Sequence, residues 1–450
     1  MTSILFASEH PLVDPSNGAS RTMRTFLRVL VEAGWTAATC DGGRHGMPDA
    51  TSGMGAVFER AGVAVVSSSF GKMGARATIR RARVDGIEVT NVTPETAGRD
   101  DSPPPHDVAN WFAVYDAVLR ARKPDVVVTY GGGPTGRRLL RMARERGART
   151  AFALFNTNYR FADLFDNVDR TLVPADFMRR HYRELLDLDP AIVRDPVDAR
   201  ELEGAPDERR YLTFVSPVAA KGAGIAARLF EVLARKRPDI PCLVVEGRAT
   251  IASRDQFVRF VGPGANVSVM PTTKDPRHFL AKTKMLLMPS LAEPSGRTAA
   301  EAMILGIPVL AANTGGLVET VADGGFLVDL PPRFVPGSEL VATPEEVEPW
   351  LRIVERSWDD PAFFADAVER ARAARGRLEL GAVKPDIVSF FESVRTADAR
   401  PVVPLRNPKP EGKLPKIPVV ETAVKRDDAP ETRTSELPWT EPPEFLPRRG

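Results

Sequence analysis

The sequence predicts an α/β protein made of two Rossmann-like domains, each built on a parallel sheet. Three observations support this fold class. Short apolar runs alternate with amphipathic stretches over most of the chain, which is typical of a parallel sheet covered by helices on both faces. A chain of 450 residues is too long for a single hydrophobic core. An acidic, loop-like stretch after Pro196 divides the alternating pattern into two series.

The first series predicts an N-terminal domain over residues 1–195. A loop rich in proline, asparagine and glycine follows the first strand, and the next helix repeats apolar side chains at helical spacing as far as Gly34. Three consecutive glycines, Gly131 to Gly133, then lead into an arginine-rich helix. The predicted strands are 4–7, 36–40, 125–130, 152–155 and 171–174, and the predicted helices are 23–31, 111–119 and 137–146.

The second series predicts a C-terminal domain over residues 196–395. Its predicted strands are 211–215, 243–246, 267–270, 285–289, 309–312 and 326–328, and its clearest helices are 225–236, 297–305 and 361–375. Open α/β sheets bind ligands at the carboxyl ends of their strands. Two such domains in tandem therefore predict a ligand-binding cleft where these two edges face each other.

Residues 396–450 have the composition of a disordered tail. The last fifty residues contain eleven prolines, and such a segment cannot bury enough apolar surface to form a core. An unstructured extension without a catalytic role is the simplest interpretation. Trp439 and Phe445 leave a second interpretation open, in which the tail docks a partner protein.

The composition of the chain weighs against several classes of protein. The 61 basic and 59 acidic residues give a net charge of +2, which does not favour a nucleic-acid-binding protein. Cys40 and Cys242 lie far apart in apolar segments, which predicts buried thiols rather than a disulfide or a zinc site. The sequence shows no cluster of metal ligands, so we expect neither a metal nor a cofactor.

Membrane attachment is not predicted by the apolar runs of the sequence. None of them approaches the ~18 residues of a membrane helix. The N-terminus lacks the basic leader of a signal peptide, so we expect a cytoplasmic protein. One alternative stays open, because the helix with Arg137, Arg138, Arg141 and Arg144 could make a peripheral contact with anionic lipid. The absence of a strong apolar face on this helix favours a solvated basic surface instead.

The segment from Met288 to Leu330 contains the richest pattern of polar residues. Glu293 follows a predicted strand, and seven residues separate it from Glu301, which lies about two turns inside the next helix. Backbone N–H groups at such a helix start can bind a diphosphate or an oxygen-rich sugar. The residues that would offer them are Ser295, Gly296, Arg297 and Thr298. Taken alone, the pattern also fits a surface helix with two solvated glutamates.

This segment resembles the retaining glycosyltransferases of family 4, which have the GT-B fold. Their glutamate-x7-glutamate motif, the following E-A-M-x-x-G-x-P-V run and a G-G-L-x-E turn are matched by Glu293, Glu301, Ala302, Met303, Gly306, Pro308, Val309, Gly315, Gly316 and Glu319. The likeness extends in pattern over roughly residues 1–395 and is lost in the tail.

The resemblance implies a role for each matched residue. Glu293 would contact the donor sugar near the reacting carbon, and Glu301 would hold the ribose. Lys221 and Gly222, at the start of the second domain, match a pair that grips the diphosphate, and the compact charge of a lysine suits a leaving group. Gly18 matches the glycine loop before the first helix, where the backbone would approach the donor phosphate or the acceptor.

The chain departs from the family pattern at two positions. Ser216 stands five residues before the lysine, where the family usually has an arginine, so one of two expected phosphate-binding cations is missing. Arg248 or Arg297 could supply the charge instead. Phe155 stands where many relatives have a histidine that contacts the donor sugar.

The function implied by the resemblance is the transfer of a hexosyl group from a nucleoside diphosphate sugar to an acceptor, with retention at the anomeric carbon. The sequence identifies neither the acceptor nor the donor base. Three other interpretations stay open: a catalytically degenerate protein that binds nucleotide sugars or a partner without turnover, another enzyme on this fold such as a nucleotide-sugar epimerase, and a scaffold that acts through its tail.

Overall fold

The computed structural model describes residues 1–14, 17–44, 53–72, 75–94, 105–204, 208–247, 249, 251–262, 266–273 and 275–404. Residues 1–405 form one compact unit, within which two sheets lie at the centre of two lobes. The tail beyond residue 404, including Trp439 and Phe445, lies outside the described residues.

The first lobe is built on a sheet with nine strands in the described part of the chain, in the order β3-β4-β5-β2-β1-β6-β7-β8-β9. These strands are β1 (Ser3–Ser8), β2 (Thr36–Gly42), β3 (Val66–Lys72), β4 (Ala75–Val84), β5 (Ile87–Pro94), β6 (Val126–Thr129), β7 (Arg149–Ala153), β8 (Arg170–Val173) and β9 (Ala191–Ile192). The pairs from β5 across to β9 are parallel, as the sequence predicts.

One edge of this sheet was not predicted. β4 pairs antiparallel with both β3 and β5, so the predicted parallel sheet has an antiparallel extension at this edge. The β4–β5 connection is the two-residue turn Asp85-Gly86, and both residues have positive φ, 51° and 79°. An Asp-Gly pair between alternating strands favours this kind of hairpin, so the sequence did carry a signal for it.

The second lobe is built on a parallel sheet in the order β12-β11-β10-β13-β14-β15. Its strands are β10 (Tyr211–Val215), β11 (Cys242–Val245), β12 (Val267–Met270), β13 (Thr283–Met288), β14 (Val309–Ala312) and β15 (Phe326–Val328). Strand order reverses between β10 and β13, and the ligand-binding crevice of such sheets lies at this switch point.

Helices cover the faces of both sheets, as the alternating pattern predicts. They are α1 (Gly18–Glu32), α2 (Met54–Arg60), α3 (Pro105–Arg122), α4 (Pro134–Glu145), α5 (Asp176–Leu186), α6 (Ala223–Lys236), α7 (Ile251–Val261), α8 (Arg277–Leu280), α9 (Arg297–Ile304), α10 (Leu317–Val321), α11 (Glu348–Asp359), α12 (Pro361–Leu378) and α13 (Leu380–Arg395). None of the helices in the described ranges is both long and apolar enough to cross a bilayer.

The last helix connects the two lobes. α13 follows the second sheet in the chain, but its apolar face is buried in the core of the first lobe, where Phe391 packs edge-on against Phe26 at a centroid distance of 6.2 Å. The predicted domain limits at 195 and 395 stay predictions. α13 lies inside the second predicted domain but packs on the core of the first lobe.

The segment after α13 is held on the first lobe. The side-chain amide of Asn167 donates to the carbonyl of Val403 and accepts from its N–H, both at 2.9 Å. Arg144 donates to the carbonyl of Arg400 and forms a buried ion pair with Asp169 at 3.0 Å. Thr150 and Asp169 lie at the amino ends of β7 and β8, so the described chain ends on the side opposite the carboxyl ends of the strands.

The arginines of α4 are already engaged by other side chains. Besides the Arg144–Asp169 pair, Arg137 pairs with Asp163, Arg141 pairs with Glu145 at 2.7 Å, and the Arg138 guanidinium stacks 4.1 Å from the ring centroid of Phe112. A peripheral membrane contact through this helix therefore stays a prediction, and it would have to compete with these contacts.

Candidate active site

A cleft of about 640 Å³ lies between the lobes, at the carboxyl ends of the central strands of both sheets. The first lobe contributes the start of α1 and the residues that follow β1, β6 and β7. The second lobe contributes the ends of β10 and β13 and the start of α9. Of the predicted site residues, the cleft is lined by Gly18, Lys221, Glu293, Ser295, Arg297, Thr298 and Glu301.

The turn that carries Glu293 is clamped by the glycine pair of the G-G-L-x-E motif. The N–H of Gly316 donates to the carbonyl of Glu293 at 2.7 Å. A Cβ on Gly316 would lie 2.2 Å from the Pro294 carbonyl oxygen, and one on Gly315, whose φ is +56°, would lie 2.5 Å from that of Glu293. Only glycine allows the two turns to approach this closely, so the pair fixes the position of the carboxylate.

Glu293 is nearly buried and uses one carboxylate oxygen for contacts within the protein. Its Oε2 accepts from the ammonium group of Lys221 and from the hydroxyl of Ser290 at 3.3 Å. Among the described residues, no donor reaches its Oε1. Because Glu293 lines the cleft, this second oxygen can accept hydrogen bonds from a ligand hydroxyl.

Glu301 shows the same division between its two oxygens. It is only 2% exposed, and its Oε1 pairs with Arg21 at 2.9 Å and with Arg297 at 3.1 Å. No donor in the described ranges contacts its Oε2. Burial alone would destabilise the charged form of the Glu301 carboxylate. The two guanidinium groups neutralise that charge and fix the orientation of the carboxylate.

Lys221 is positioned by the glycine that follows it. Gly222 has a φ of +75°, and a Cβ there would lie 1.9 Å from the carbonyl oxygen of Pro289 at the end of β13. This close approach sets the Lys221 ammonium beside Glu293. Gly222 itself packs behind the cleft, so a direct contact between it and a donor stays a prediction.

The start of α9 is the predicted anion site. Gly296 precedes the helix with a φ of +86°, and no side chain of the described chain caps the helix. A Cβ on Gly296 would lie 2.7 Å from Leu317 Cδ2, which accounts for the glycine. The side chains of Ser295 and Arg297 are not free, however. Ser295 donates to Asp195, and Arg297 donates to Glu301 and, at 3.0 Å, to the Pro196 carbonyl.

Several contacts bridge the two lobes at this point. Thr22 on α1 donates to Asp195 at 2.9 Å, and the same carboxylate accepts from Ser295 through its other oxygen. Glu319 accepts from the N–H groups of Asp176 and Phe177 at 2.9 and 2.8 Å, so a carboxylate of the second lobe caps α5 of the first. The closed arrangement of the lobes is therefore stabilised by specific polar contacts.

The first-lobe wall of the cleft combines backbone and aromatic groups. Asn17 caps α1 by accepting from the N–H groups of Ala19 and Ser20 at 3.0 and 3.4 Å. A Cβ on Gly18 would meet no neighbouring atom of the described chain within 4 Å, so the space beside this glycine is open to a ligand. His10 stacks on Tyr130 at 6.0 Å, and its burial lowers the pKa of the imidazole.

The position of the missing arginine is occupied by a strained serine. Ser216 lines the cleft with a φ of +62°, and a Cβ on Gly247 would lie 2.0 Å from its hydroxyl oxygen. Arg248, one of the two predicted replacements, lies outside the described residues. Arg297, the other, lines the cleft but is bound to Glu301 and Pro196.

Sequence reasoning missed two charged residues that line the cleft, Arg21 and Asp195. Arg21 lies one turn after Gly18, so helical spacing places both on one face of α1. That spacing was a usable signal. Asp195 precedes the proline that marked the domain boundary, and nothing in its local sequence indicates that it meets Thr22 and Ser295. Thr272 and Thr273, after β12, also line the cleft and were not predicted.

Comparison with known protein families finds a match to slightly less than half of the chain. Residues 164–385 match the model of a family described as "Family 4 Glycosyltransferase in conflict systems". The matched range contains Lys221, Glu293 and Glu301. This match confirms the resemblance predicted from the sequence.

Similar curated proteins include two kinds of glycosyltransferase. The 2-deoxystreptamine glucosyltransferase of Streptomyces kanamyceticus is 32% identical over 193 residues, which cover 38% of this chain and 46% of that protein. The D-inositol 3-phosphate glycosyltransferase of Mycobacterium tuberculosis is 31% identical over 181 residues, covering 35% and 37%. The chain thus spans less than half of the length of these relatives.

Similar solved structures cover nearly the whole described chain. A glycosyltransferase from Rickettsia africae matches with a TM-score of 0.63 at 13% identity, over 88% of this chain and 99% of that one. HepE from Anabaena, in complex with UDP and glucose, matches with a TM-score of 0.61 at 16% identity, over 87% and 100%. At such identities the likeness establishes the fold, and it confirms the predicted GT-B arrangement.

Proposed function

Because the chain belongs to the family 4 glycosyltransferases, we propose that it transfers a hexosyl group from a nucleoside diphosphate sugar to the hydroxyl of an acceptor, with retention of anomeric configuration. The family membership rests on residues 164–385. The reaction, the donor and the stereochemistry are what the resemblance to that family implies, and the geometry of the cleft is compatible with them.

One observation supports the proposal above all others. Glu293 and Glu301 line the same cleft, and each is held by cations through one oxygen while the other oxygen has no partner in the described residues. Carboxylate oxygens of this kind accept hydrogen bonds from neighbouring hydroxyls. A nucleoside diphosphate sugar presents hydroxyls at both ends, on the ribose and on the sugar. In our proposal Glu301 binds the ribose and Glu293 binds the transferred sugar.

In our proposal the leaving group develops its negative charge beside the positive charge of Lys221. Lys221 stands beside Glu293, and the uncapped start of α9 lines the same cleft. Fixed donors aimed at a developing charge are usually the largest contribution to catalysis. We therefore assign Lys221 and the N–H groups from Ser295 to Thr298 to stabilising the departing diphosphate.

The proposed step breaks the bond between the anomeric carbon and the diphosphate oxygen, and its electron pair leaves with the diphosphate. The acceptor oxygen forms the new bond on the same face of the sugar, and its proton passes to a departing phosphate oxygen. Glu293 orients the sugar and favours the positive ring of the oxocarbenium-like transition state. Exclusion of water by the closed lobes would limit hydrolysis of the donor.

The acceptor would bind on the first-lobe wall, near Gly18 and the aromatic residues Tyr130 and Phe155. The relatives act on different acceptors by name, a deoxystreptamine and an inositol phosphate, and neither identifies the acceptor of this chain. The HepE complex with UDP and glucose supports a nucleotide-sugar donor in this fold.

Nucleotide release from a panel of labelled nucleoside diphosphate sugars tests the proposal. The wild-type protein should release nucleotide from at least one donor, slowly with water as acceptor and faster with a suitable hydroxyl compound. Glu293→Gln should lower the rate by about 10²–10³-fold, because it removes a charge that acts in the transition state. Glu369→Gln, on the exposed face of α12, is the matched control and should leave the rate unchanged.

Two outcomes would contradict the proposal in different ways. Nucleotide binding without release from any donor, with any acceptor tried, would indicate a degenerate binding protein. If Glu293→Gln releases nucleotide at the wild-type rate, that carboxylate has no catalytic role. The configuration of the product, read by NMR of its anomeric proton, tests retention separately.

A further inference from the structure

The two glutamates define where the diphosphate of a donor must lie. This inference rests on the proposed function, with ribose at Glu301 and sugar at Glu293. The diphosphate connects those two groups chemically, so it has to cross the gap between the two carboxylates. The family supplies two cations from the second lobe for this group, but position 216 is a serine here. If two cations are to balance the charge of the diphosphate, the second must therefore come from another position in the chain.

Three cations line the cleft in the described part of the chain: Lys221, Arg297 and Arg21. Lys221 supplies the first charge. Arg297 has three contacts within the protein, to Glu301 at 3.1 Å, Pro196 at 3.0 Å and Thr22 at 3.4 Å, and its side chain is 11% exposed. It serves to hold α9 against the first lobe, and moving it would break all three contacts.

Arg21 differs from Arg297 in having fewer contacts within the protein and a more exposed side chain. Its guanidinium pairs with Glu301, at 2.9 Å from Nη2, and no hydrogen bond from it to another described residue is seen. Its side chain is 23% exposed, about twice the value for Arg297. It extends from the first turn of α1 on the same face as Gly18, beside the open space at that glycine. A guanidinium with unpaired donors at the rim of an anion path is suited to bidentate phosphate binding.

We propose that Arg21 is the second phosphate-binding cation of this protein and takes the place of the arginine that the family pattern puts at position 216. It keeps Glu301 as a partner through Nη2 and directs its remaining N–H groups to the donor diphosphate. The charge that binds the donor is thereby divided between the lobes, with Lys221 on the second and Arg21 on the first. Donor affinity then depends on the lobes being closed.

The test compares affinities for a nucleoside diphosphate and for the corresponding nucleoside, measured by calorimetric titration. The base is chosen as the one whose diphosphate binds wild type most tightly among UDP, ADP, GDP and TDP. Arg21→Met should weaken diphosphate binding by about 10–100-fold, the size expected for a charged hydrogen bond. Nucleoside binding should change by less than about threefold, because Arg297 still pairs with Glu301. Arg21→Lys should recover part of the loss.

A matched control comes from the same helix. Arg24 lies on α1 and pairs with Asp85 at 2.7 Å away from the cleft, so Arg24→Met should bind the diphosphate as wild type does. Equal weakening of nucleoside and diphosphate in Arg21→Met would overturn the proposal, since Arg21 would then act only through Glu301. Unchanged diphosphate affinity would overturn it as well. A wild-type protein that binds none of the four diphosphates would instead refute the proposed function itself.

Discussion

Single side chains in the cleft are already paired before any donor is present. Lys221 lies against Glu293, and the carboxylate gains a partner that stabilises its charge in a nearly buried position. This ion pair lowers the affinity for a donor, because the Lys221 ammonium group must then bind the diphosphate and Glu293 at the same time. It also keeps the lysine in place. The contribution of Lys221 should therefore appear mainly in turnover rather than in folding.

Lys221→Met should lower the rate of nucleotide release by about 10²–10³-fold, as expected for the loss of one fixed charge at the leaving group. The rate is measured with the donor that wild type accepts best. Lys236→Met, at the exposed end of α6, serves as the control for removal of a lysine charge. An equal rate for Lys221→Met and Lys236→Met would show that the ammonium group takes no part in the reaction.

Asp41 predicts a pH dependence of stability. It is fully buried at the end of β2, and burial raises its pKa to about 7, although Leu12, Asn91 and Thr39 donate hydrogen bonds that lower it. Because the pKa of Asp41 is higher in the folded state than its unfolded value of 3.8, the protonated carboxyl contributes stability below pH 3.8. This contribution is lost as the pH rises from 3.8 to about 7. Wild type should therefore lose stability relative to Asp41→Asn over this range.

The measurement is the difference in melting temperature between wild type and Asp41→Asn from pH 4 to pH 8. The loss can reach about 1.4 kcal/mol per pH unit between the two pKa values and should level off above them. Asp386→Asn, on the exposed face of α13, controls for the change of residue type. A difference that stays constant over the whole range would show that Asp41 does not titrate there.

At the scale of single residues, the sequence predicts those site residues whose roles depend on local spacing. The seven-residue interval places Glu293 in the turn and Glu301 on the helix, and the Lys-Gly pair places Lys221 in the turn that enters a helix. Arg21 and Asp195 were not found. Helical spacing after Gly18 was a signal for the position of Arg21, but the contacts that give both residues their roles join segments a hundred or more residues apart. Such contacts are set by packing and leave no local pattern.

At the scale of elements, glycines decide how closely strands and turns approach. Gly222→Ala should lower the melting temperature strongly, because the new Cβ would lie 1.9 Å from the Pro289 oxygen at a φ of +75°. Gly376→Ala is the matched comparison within α12, where a Cβ would have no neighbour within 4 Å in the described chain. It should be neutral or stabilising by up to about 1 kcal/mol, since alanine favours helix. Comparable melting temperatures for the two variants would contradict the packing assigned to Gly222.

Elements of the second sheet were predicted more fully than those of the first. Four of its strands, β10, β12, β14 and β15, coincide with the predicted ranges, because each is a short apolar run between turn residues. β3 to β5 were missed, since none of them has the continuous apolar run of a buried parallel strand. β3 is rich in serine, β4 is rich in arginine, and polar residues interrupt the apolar residues of β5. α13 was missed because its apolar face pairs with the distant first lobe, and the sequence gives no sign of that partner.

At the scale of the whole molecule, the end of α13 and the segment after it connect the two lobes and the tail. A truncation after Pro404 keeps the contacts of Asn167 with Val403 and should leave both stability and nucleotide release unchanged. A truncation after Ala397 removes Arg400 and Val403 as partners of Arg144 and Asn167. It should lower the melting temperature, because buried polar groups lose their hydrogen bonds. Loss of activity on truncation after Pro404 would instead favour a functional role for the tail.

The closed arrangement of the lobes brings together the parts of the site. Arg21 and Thr22 come from the first lobe, Glu301 and Ser295 come from the second, and Asp195 connects them at the crossover. Because these contacts cross the cleft, a donor that adds further contacts on both sides should favour closure. The cleft is in this way a single candidate binding site shared between the lobes.

The most direct test is a crystal structure of this protein with the nucleoside diphosphate that it binds most tightly. We expect ribose hydroxyls at hydrogen-bond distance, about 2.5–3.0 Å, from the Glu301 oxygen that faces the cleft. We also expect the diphosphate between Lys221 and Arg21, pointing toward Glu293. A nucleotide bound outside the cleft, or bound in it with its ribose away from Glu301, would contradict a donor site built on the two glutamates.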